Sequence, residues 1–383
     1  MRDATAAAVF AAVLFAGVLG LLLAPQKFVS VVENRELAAA PSLSVESVVS
    51  GRFAAESEIY LLDRFPLRDM WAGLGSAAAA ASGQRDNGRV DFGDDGWLFS
   101  MDAIDLRQLD VNLGYIREFI ADASREYPGV VFSVLPAPAS WTVAGDMLPP
   151  LAPVDDETGA MFAIQETLGG DALVCDPTEA LSEAFGSGVP VYYRTDHHWT
   201  SRGAYTAYRV WAKSRGLTPL DESDFNVSTV SETFFGTNAS KAGLPWTAPD
   251  IIEVFARKDA PPLTMTTESE KAGEAVRVSH SLYDVKFLAE RDQYAYFLGG
   301  NNPVVTVDTG APGGGTLLLV KDSFAHCFAP FLTAHFSRII LVDPRYHRNG
   351  FTRFFEENDV TDVLFLYSAT QIASDRNLFY LQL

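Results

Sequence analysis

Short, nearly unbroken apolar runs recur along this chain, and segments with helical spacing separate them. Val130–Leu135, Thr316–Val320, Arg338–Val342 and Val363–Tyr367 are almost uniformly apolar, and Ala172–Cys175 and Val189–Tyr193 are shorter or less uniform candidates. A strand covered on both faces needs apolar residues at successive positions rather than at alternate ones, and such runs are too short for helices. Between them, Leu106–Tyr127, Ser201–Arg215, Ser323–Phe336 and Phe351–Asn358 have helical spacing, with Ser201 as the expected N-cap and Gly216 as the stop of the second. Strands alternating with helices predict an α/β fold, a mainly parallel sheet with helices on both faces. Residues 217–290, rich in Ser, Thr, Asp, Pro and Gly, break the rhythm and read as an insertion near the active face.

The N-terminus reads differently. Ala6–Ala24 is a run of 19 uncharged, mostly apolar residues, closed by Pro25. A helix needs about 20 such residues to cross a bilayer, and a signal-peptide core is shorter. Residues 1–25 are therefore expected to form a single transmembrane signal-anchor, with the rest of the chain extracytoplasmic. Cleavage near Leu37-Ala38-Ala39-Ala40 is the other reading, and it exports the chain equally. Residues 26–105 read as a tether and an N-terminal helical and hairpin segment. Within it, Phe53–Ala80 is helical with a break at Asp63–Asp69 around Pro66, Ala77–Gln84 enters a loop, and Val90–Phe99 is a hairpin turning at Asp94-Asp95-Gly96. Residues 106–383 form the α/β domain.

Charge narrows the partners. With 29 Lys and Arg against 49 Asp and Glu, the net charge is −20 and no basic run exists, which excludes nucleic acid as a ligand. The two cysteines, Cys175 and Cys327, read as separate buried thiols, although an exported chain can also join them.

Two segments carry chemistry. In Thr195-Asp196-His197-His198-Trp199-Thr200, a carboxylate and an imidazole stand two positions apart. Following the strand Val189–Tyr193 in extended backbone, Asp196 and His198 point the same way, while His197 points elsewhere. In Lys321-Asp322-Ser323, a serine follows a buried strand and opens a helix, where unpaired N–H groups favour negative charge. Ligands of open α/β sheets bind at that edge. Asp196, His198 and Ser323 thus supply the groups of a hydrolytic triad, which recurs on unrelated folds in different chain orders. Two plainer readings compete: Ser323 as an ordinary N-cap, and the Asp-His pair as surface residues beside a core Trp199. Asp196, His197 and His198 are also metal-ligand types, but their spacing matches no metal motif, and no metal or cofactor is expected. Gly299-Gly300-Asn301-Asn302 offers backbone and amide donors for an oxyanion.

On these residues the chain resembles the DHHW family, named for the tetrapeptide Asp196-His197-His198-Trp199, and the wider SGNH-like group that includes the alginate O-acetyltransferases AlgX and AlgJ. The resemblance runs through Glu33-Asn34-Arg35, Asp63–Asp69, Gly93–Phe99, Thr195–Arg202, Gly236-Thr237, Ser240-Lys241, Gly300-Asn301, Lys321-Asp322-Ser323 and Asp343-Pro344-Arg345-Tyr346. It implies an SGNH-like three-layer α/β/α sandwich with circularly permuted motif order. It implies Ser323 as nucleophile, His198 as base and Asp196 as its orienter, with oxyanion donors from Ser323 and from Gly300 or Asn301. Trp199, Lys321, Arg345 and Tyr346 are expected to face substrate. The implied activity is addition or removal of acetyl esters on a cell-surface or extracellular polysaccharide, with a membrane-bound O-acyltransferase as partner. Lys321 stands where ordinary SGNH enzymes carry Gly, and the polymer specificity of AlgX is not carried over. A non-catalytic glycan-binding or assembly protein on the same fold is the alternative, with Trp199, Trp246 and Tyr346 as stacking surfaces.

Overall fold

The computed structural model describes residues 2–23, 29–30, 35–269, 275–311 and 313–382. Ala24, Pro25, Lys27 and the Glu33-Asn34 pair therefore lie outside the described residues. The chain divides into two compact units, one from Met1–Arg89 with Ala239–Thr247, the other from Val90–Asn238 with Ala248–Leu383.

In the first unit the apolar run forms a helix over Arg2–Leu23. Among the described residues no helix is long and apolar enough to cross a membrane, so the span read over Ala6–Ala24 rests on the sequence alone. Two further helices, Arg52–Asp63 and Arg68–Ala81, are broken where Leu67 takes a left-handed φ of 58°, beside Pro66. Asp63 accepts the Ala38 N–H at 2.8 Å and Arg64 donates to the Ala38 carbonyl at 2.6 Å, which ties the preceding segment to this break. The second helix runs on through the alanines to Ala81, past the expected loop entry at Ala77, because alanine is the strongest helix former.

The second unit is built on an eight-stranded sheet. Its strands are β1 (Val131–Ala137), β2 (Leu173–Val174), β3 (Thr264–Thr267), β4 (Arg277–Ser279), β5 (Val304–Asp308), β6 (Gly315–Lys321), β7 (Phe336–Val342) and β8 (Val360–Ser368). They lie in the order β4-β3-β5-β7-β6-β8-β1-β2. The run from β7 to β2 is parallel, and β5, β3 and β4 close one side in antiparallel pairing. Successive residues of β6 point to opposite faces. Leu317 and Leu319 pack into a core with Trp211, Phe328 and Phe331, from helices α3 (Ser201–Ser214) and α4 (Ala325–Leu332). Leu318 and Val320 pack into a second core with Ile116, Phe119 and Ile164, from α1 (Leu106–Glu126) and α2 (Glu157–Leu168). The unit is thus a three-layer α/β/α arrangement around a mainly parallel sheet.

Several expectations are corrected. Val189–Tyr193 is not a strand, and only Tyr192 pairs there, in an isolated bridge with Trp199. The N-cap of α3 is Thr200, whose side chain accepts the Arg202 and Gly203 N–H groups, while the Ser201 hydroxyl donates to the Glu253 carbonyl at 2.6 Å. Helix α4 is shorter than Ser323–Phe336. Residues 217–290 are more than a loop insertion: they hold an antiparallel hairpin of Phe225–Phe234 with Asp250–Arg257 and supply β3 and β4 to the main sheet.

Candidate active site

Strand β6 ends at Lys321, and Asp322, Ser323 and Phe324 turn the chain toward α4. Asp322 fixes that turn. One carboxylate oxygen accepts the Phe324 N–H at 2.9 Å and the other accepts the Ser368 N–H at 2.8 Å, clamping the turn to the end of β8. Ser323 is not the helix cap: the residue before α4 is Phe324, in helical backbone and without a capping side chain. Among the described residues no protein acceptor takes the Ser323 N–H, so it remains available as a donor at the carboxyl edge of the sheet.

The carboxylate and imidazole sit in a bent loop rather than at the end of a strand. The Tyr192–Trp199 bridge closes the loop, with Tyr193 N–H donating to the His198 carbonyl at 3.3 Å and Thr200 N–H to the Val191 carbonyl at 2.9 Å. Inside it, one oxygen of Asp196 accepts the His198 N–H at 3.0 Å and lies 2.5 Å from His198 Nδ1. The other oxygen accepts the Thr237 N–H at 2.7 Å. His198 Nε2 then lies 2.7 Å from Ser323 Oγ. With Asp196 accepting from Nδ1–H, Nε2 is the acceptor for the serine hydroxyl. The structure therefore brings Asp196, His198 and Ser323 into one hydrogen-bonded relay.

Electrostatics suit these roles. Burial of Asp196 opposes its charge, but the two neighbouring imidazoles, the His198 hydrogen bond and the Thr237 N–H prevail and hold its carboxyl well below the usual range. A second carboxylate supports the loop: Asp250 accepts from Thr195 N–H at 2.8 Å, Thr195 Oγ1 at 2.6 Å and Arg194 N–H at 3.1 Å. Gly236 completes the seat. A Cβ there would lie 2.2 Å from Asp196 Cβ and 2.4 Å from a carboxylate oxygen. Gly236→Ala is accordingly expected to push Asp196 off His198 and to lower ester turnover about 100-fold, since a displacement near 1 Å has that effect on catalysis. Steady-state kinetics on the folded variant check it, and parent-level kcat would contradict the close approach.

His197 does not point away as expected. It is about one-third exposed, its ring lies 3.9 Å from that of His198, and Nδ1 stands 3.6 Å from Asp196. Ligand atoms of Asp196, His197 and His198 lie within 4.8 Å of one another, so three metal-ligand types do converge. Asp196 and His198 Nδ1 are already joined to each other by a hydrogen bond of 2.5 Å.

Other expected site residues fall elsewhere. Trp199 is fully buried and donates Nε1–H to the Phe324 carbonyl at 2.9 Å, so it shapes the nucleophile turn and offers no face to a sugar. Lys321 is buried too, 3.2 Å from Asp343 and 2.9 Å from His326 Nε2, beneath the turn rather than facing substrate. Burial lowers its pKa, against the pull of Asp343. Arg345 directs Nε and a terminal nitrogen at Asp343, at 2.9 and 2.7 Å, which commits most of its guanidinium to a buried partner. Tyr346 is half-buried in the next turn, beside a cavity of about 170 Å³ also lined by His347, Arg348 and Arg353. Trp246 is exposed, in the first unit. The Gly300 N–H is turned to the Phe297 carbonyl at 3.3 Å, which removes it as an oxyanion donor, and Asn301 is exposed without a hydrogen bond among the described residues. That leaves the Ser323 N–H as the donor at the expected place. Cys175 and Cys327 are both free, buried thiols, and burial pushes Cys327 up to about 12.

Sequence reasoning did not single out Tyr294 or Asp250, and Gly236 and Thr237 entered it only through the resemblance. Residues 90–262 match the family model of the SGNH hydrolase-like domain of acetyltransferase AlgX, and residues 186–342 match that of the DHHW protein. The two matches overlap over residues 186–262, the stretch that holds the Asp196–His198 loop. The DHHW segment spans both the Asp196–His198 loop and Ser323. Solved structures share the fold. A DHHW family protein from Eubacterium siraeum is 21% identical with a TM-score of 0.62, over 76% of this chain and 94% of that one. PatB1 of Bacillus cereus, in a structure with a sulfonyl adduct, is 17% identical with a TM-score of 0.64, over 76% of this chain and 96% of that one. A further PatB1 structure is 18% identical with a TM-score of 0.64, over 75% and 97%. No functionally curated protein matches the chain in sequence.

Proposed function

We propose that this protein is an exported, membrane-anchored serine O-acetyltransferase or acetylesterase acting on a cell-surface or extracellular polysaccharide. The observation that carries the reading is the relay itself: Ser323 Oγ at 2.7 Å from His198 Nε2, and His198 Nδ1 at 2.5 Å from Asp196. Ser323 Oγ attacks the carbonyl carbon of an acetyl ester while its proton passes to His198 Nε2. Asp196 stabilises the imidazolium that forms, and the tetrahedral oxyanion lies toward the Ser323 N–H at the sheet edge. Collapse expels the donor alcohol, which takes the proton from His198, and leaves the acetyl group on Ser323. A sugar hydroxyl or water, deprotonated by the same imidazole, then removes it. Transferase and esterase differ only in that second acceptor.

The match of residues 90–262 to a domain named for an acetyltransferase supports acetyl chemistry. The sulfonyl adduct of the PatB1 structure suggests the probe, because an activated serine oxygen attacks the sulfur of a sulfonyl fluoride, forming a sulfonate ester and expelling fluoride. The apolar run Ala6–Ala24 supports the anchor, and a chain fixed at a membrane suits a partner O-acyltransferase within it. The test is peptide mapping of the full chain, in detergent, after exposure to a sulfonyl fluoride and, separately, to an acetyl ester. A single modified position, Ser323, is expected in the parent and none in His198→Ala. An unreactive parent would reject the reading and favour a glycan-binding scaffold.

A further inference from the structure

We propose that Tyr294 is a positioning residue of the relay, holding the plane of His198 with its ring and the backbone of Ser323 with its hydroxyl. The proposal rests on the catalytic reading above and adds a residue to it. Hydrogen bonds at Nδ1 and Nε2 fix two points of the His198 ring but leave it free to tilt about the line between them. Tyr294 removes that freedom: its ring lies parallel to the imidazole, with centroids 4.1 Å apart and planes 12° apart. The His197 ring is a second neighbour, with centroids 3.9 Å apart and planes tilted by 37°. An electron-rich face laid on the imidazole also favours the cation formed when His198 takes the serine proton.

The other end of Tyr294 reaches the nucleophile. Its hydroxyl donates to the Ser323 carbonyl at 3.1 Å and lies 3.3 Å from Cys327 Sγ. Burial holds the phenol far above its usual pKa, so it remains a donor. The His326 N–H donates to the same carbonyl at 3.1 Å, and Trp199 holds the next one, so the peptide planes after Ser323 are fixed from three directions. Tyr294 is itself held. Its neighbour Gln293 accepts from Ser231 at 2.5 Å and donates to Thr233 at 3.2 Å, and its ring packs against Tyr193, Phe297 and His326. One rigid side chain therefore sets base and nucleophile in register.

Two variants of the full chain test this. Tyr294→Phe keeps the ring and loses the hydroxyl, and a lost neutral hydrogen bond of ordinary strength corresponds to about a 5-fold slower rate. Tyr294→Leu loses both and should slow acylation about 100-fold. The readouts are the rate of Ser323 labelling by a sulfonyl fluoride, and kcat and KM for an acetyl ester per mole of titratable serine, with circular dichroism to establish folding. KM should stay within about two-fold of the parent while kcat falls, a split that a merely structural role would not produce. Labelling of Tyr294→Leu at the parent rate, or identical rates for the two variants, overturns the proposal. If the leucine variant does not fold, an unchanged rate in Tyr294→Phe overturns it equally. A parent that does not label at all sinks the catalytic reading and this one with it, whereas a reactive parent with unaffected variants sinks this one alone.

Discussion

Ser323→Ala is expected to lower turnover of a small acetyl ester about 10⁴-fold or more, and His198→Ala to do nearly the same. In the proposed reaction the serine oxygen forms the acyl bond, and among the described residues the acceptor placed for its proton is His198 Nε2 at 2.7 Å. What survives is the contribution of binding and of the Ser323 N–H, which the alanine variant keeps. The two substitutions act on one step, so the double variant should be scarcely slower than either single one. Stability separates this from the plainer reading of Ser323 as a helix cap. Loss of a true cap destabilises by about 1 kcal/mol. Ser323 Oγ caps nothing here, so any loss of stability should come from its hydrogen bond to His198 and should vanish when the same change is made in His198→Ala, whereas loss of a cap would persist there. Chemical denaturation beside kinetics on the same samples reads both. A destabilised but fully active alanine variant would restore the cap and remove the nucleophile.

The sheet was legible where burial on both faces forces a continuous apolar run, as in β6, β7 and β8, and illegible where a strand is short, polar or at an edge. Thr264-Met265-Thr266-Thr267 has one markedly apolar residue and reads as loop, yet it pairs antiparallel with β5. The candidate site was legible in its chemistry, because a carboxylate two residues from an imidazole is a local signal. The geometry that joins them was not. Asp196 meets His198 through a bend closed by the Tyr192–Trp199 bridge, not through the side-chain alternation of a strand. Supporting residues escaped for a related reason. Tyr294 lies in a short 3-10 turn, Gln293–Tyr296, without periodicity, and its partners His198 and Ser323 are far away in sequence. Lys321 and Trp199 misled in the opposite direction. A cation and an indole beside reactive residues suggest substrate contacts, and only the positions of Asp343 and the Phe324 carbonyl reveal that both are consumed inside.

Asp196→Asn should lower turnover by about 10³- to 10⁴-fold although it changes almost no volume. Three donors surround the side chain. His198 N–H and Nδ1–H point at one oxygen, and Thr237 N–H points at the other. A carboxylate accepts all three, whereas an amide has one accepting and one donating end. If the amide nitrogen faces Thr237, two donors oppose each other in a buried site. If it faces His198, the imidazole must place its proton on Nε2, and the base then has no lone pair for Ser323. Either arrangement also removes the negative charge that stabilises the imidazolium. The same carboxylate links catalysis to acid stability. Its folded pKa is depressed, so its contribution to folding is complete above the ordinary carboxylate pKa and is lost as pH falls through the folded value. In Asp196→Asn that portion of the acid-induced loss of stability should disappear. Unfolding followed at pH 7 and at pH 3, beside ester turnover at pH 7, measures both effects. An asparagine variant that turns over ester at the parent rate would show that His198 needs no carboxylate to orient it.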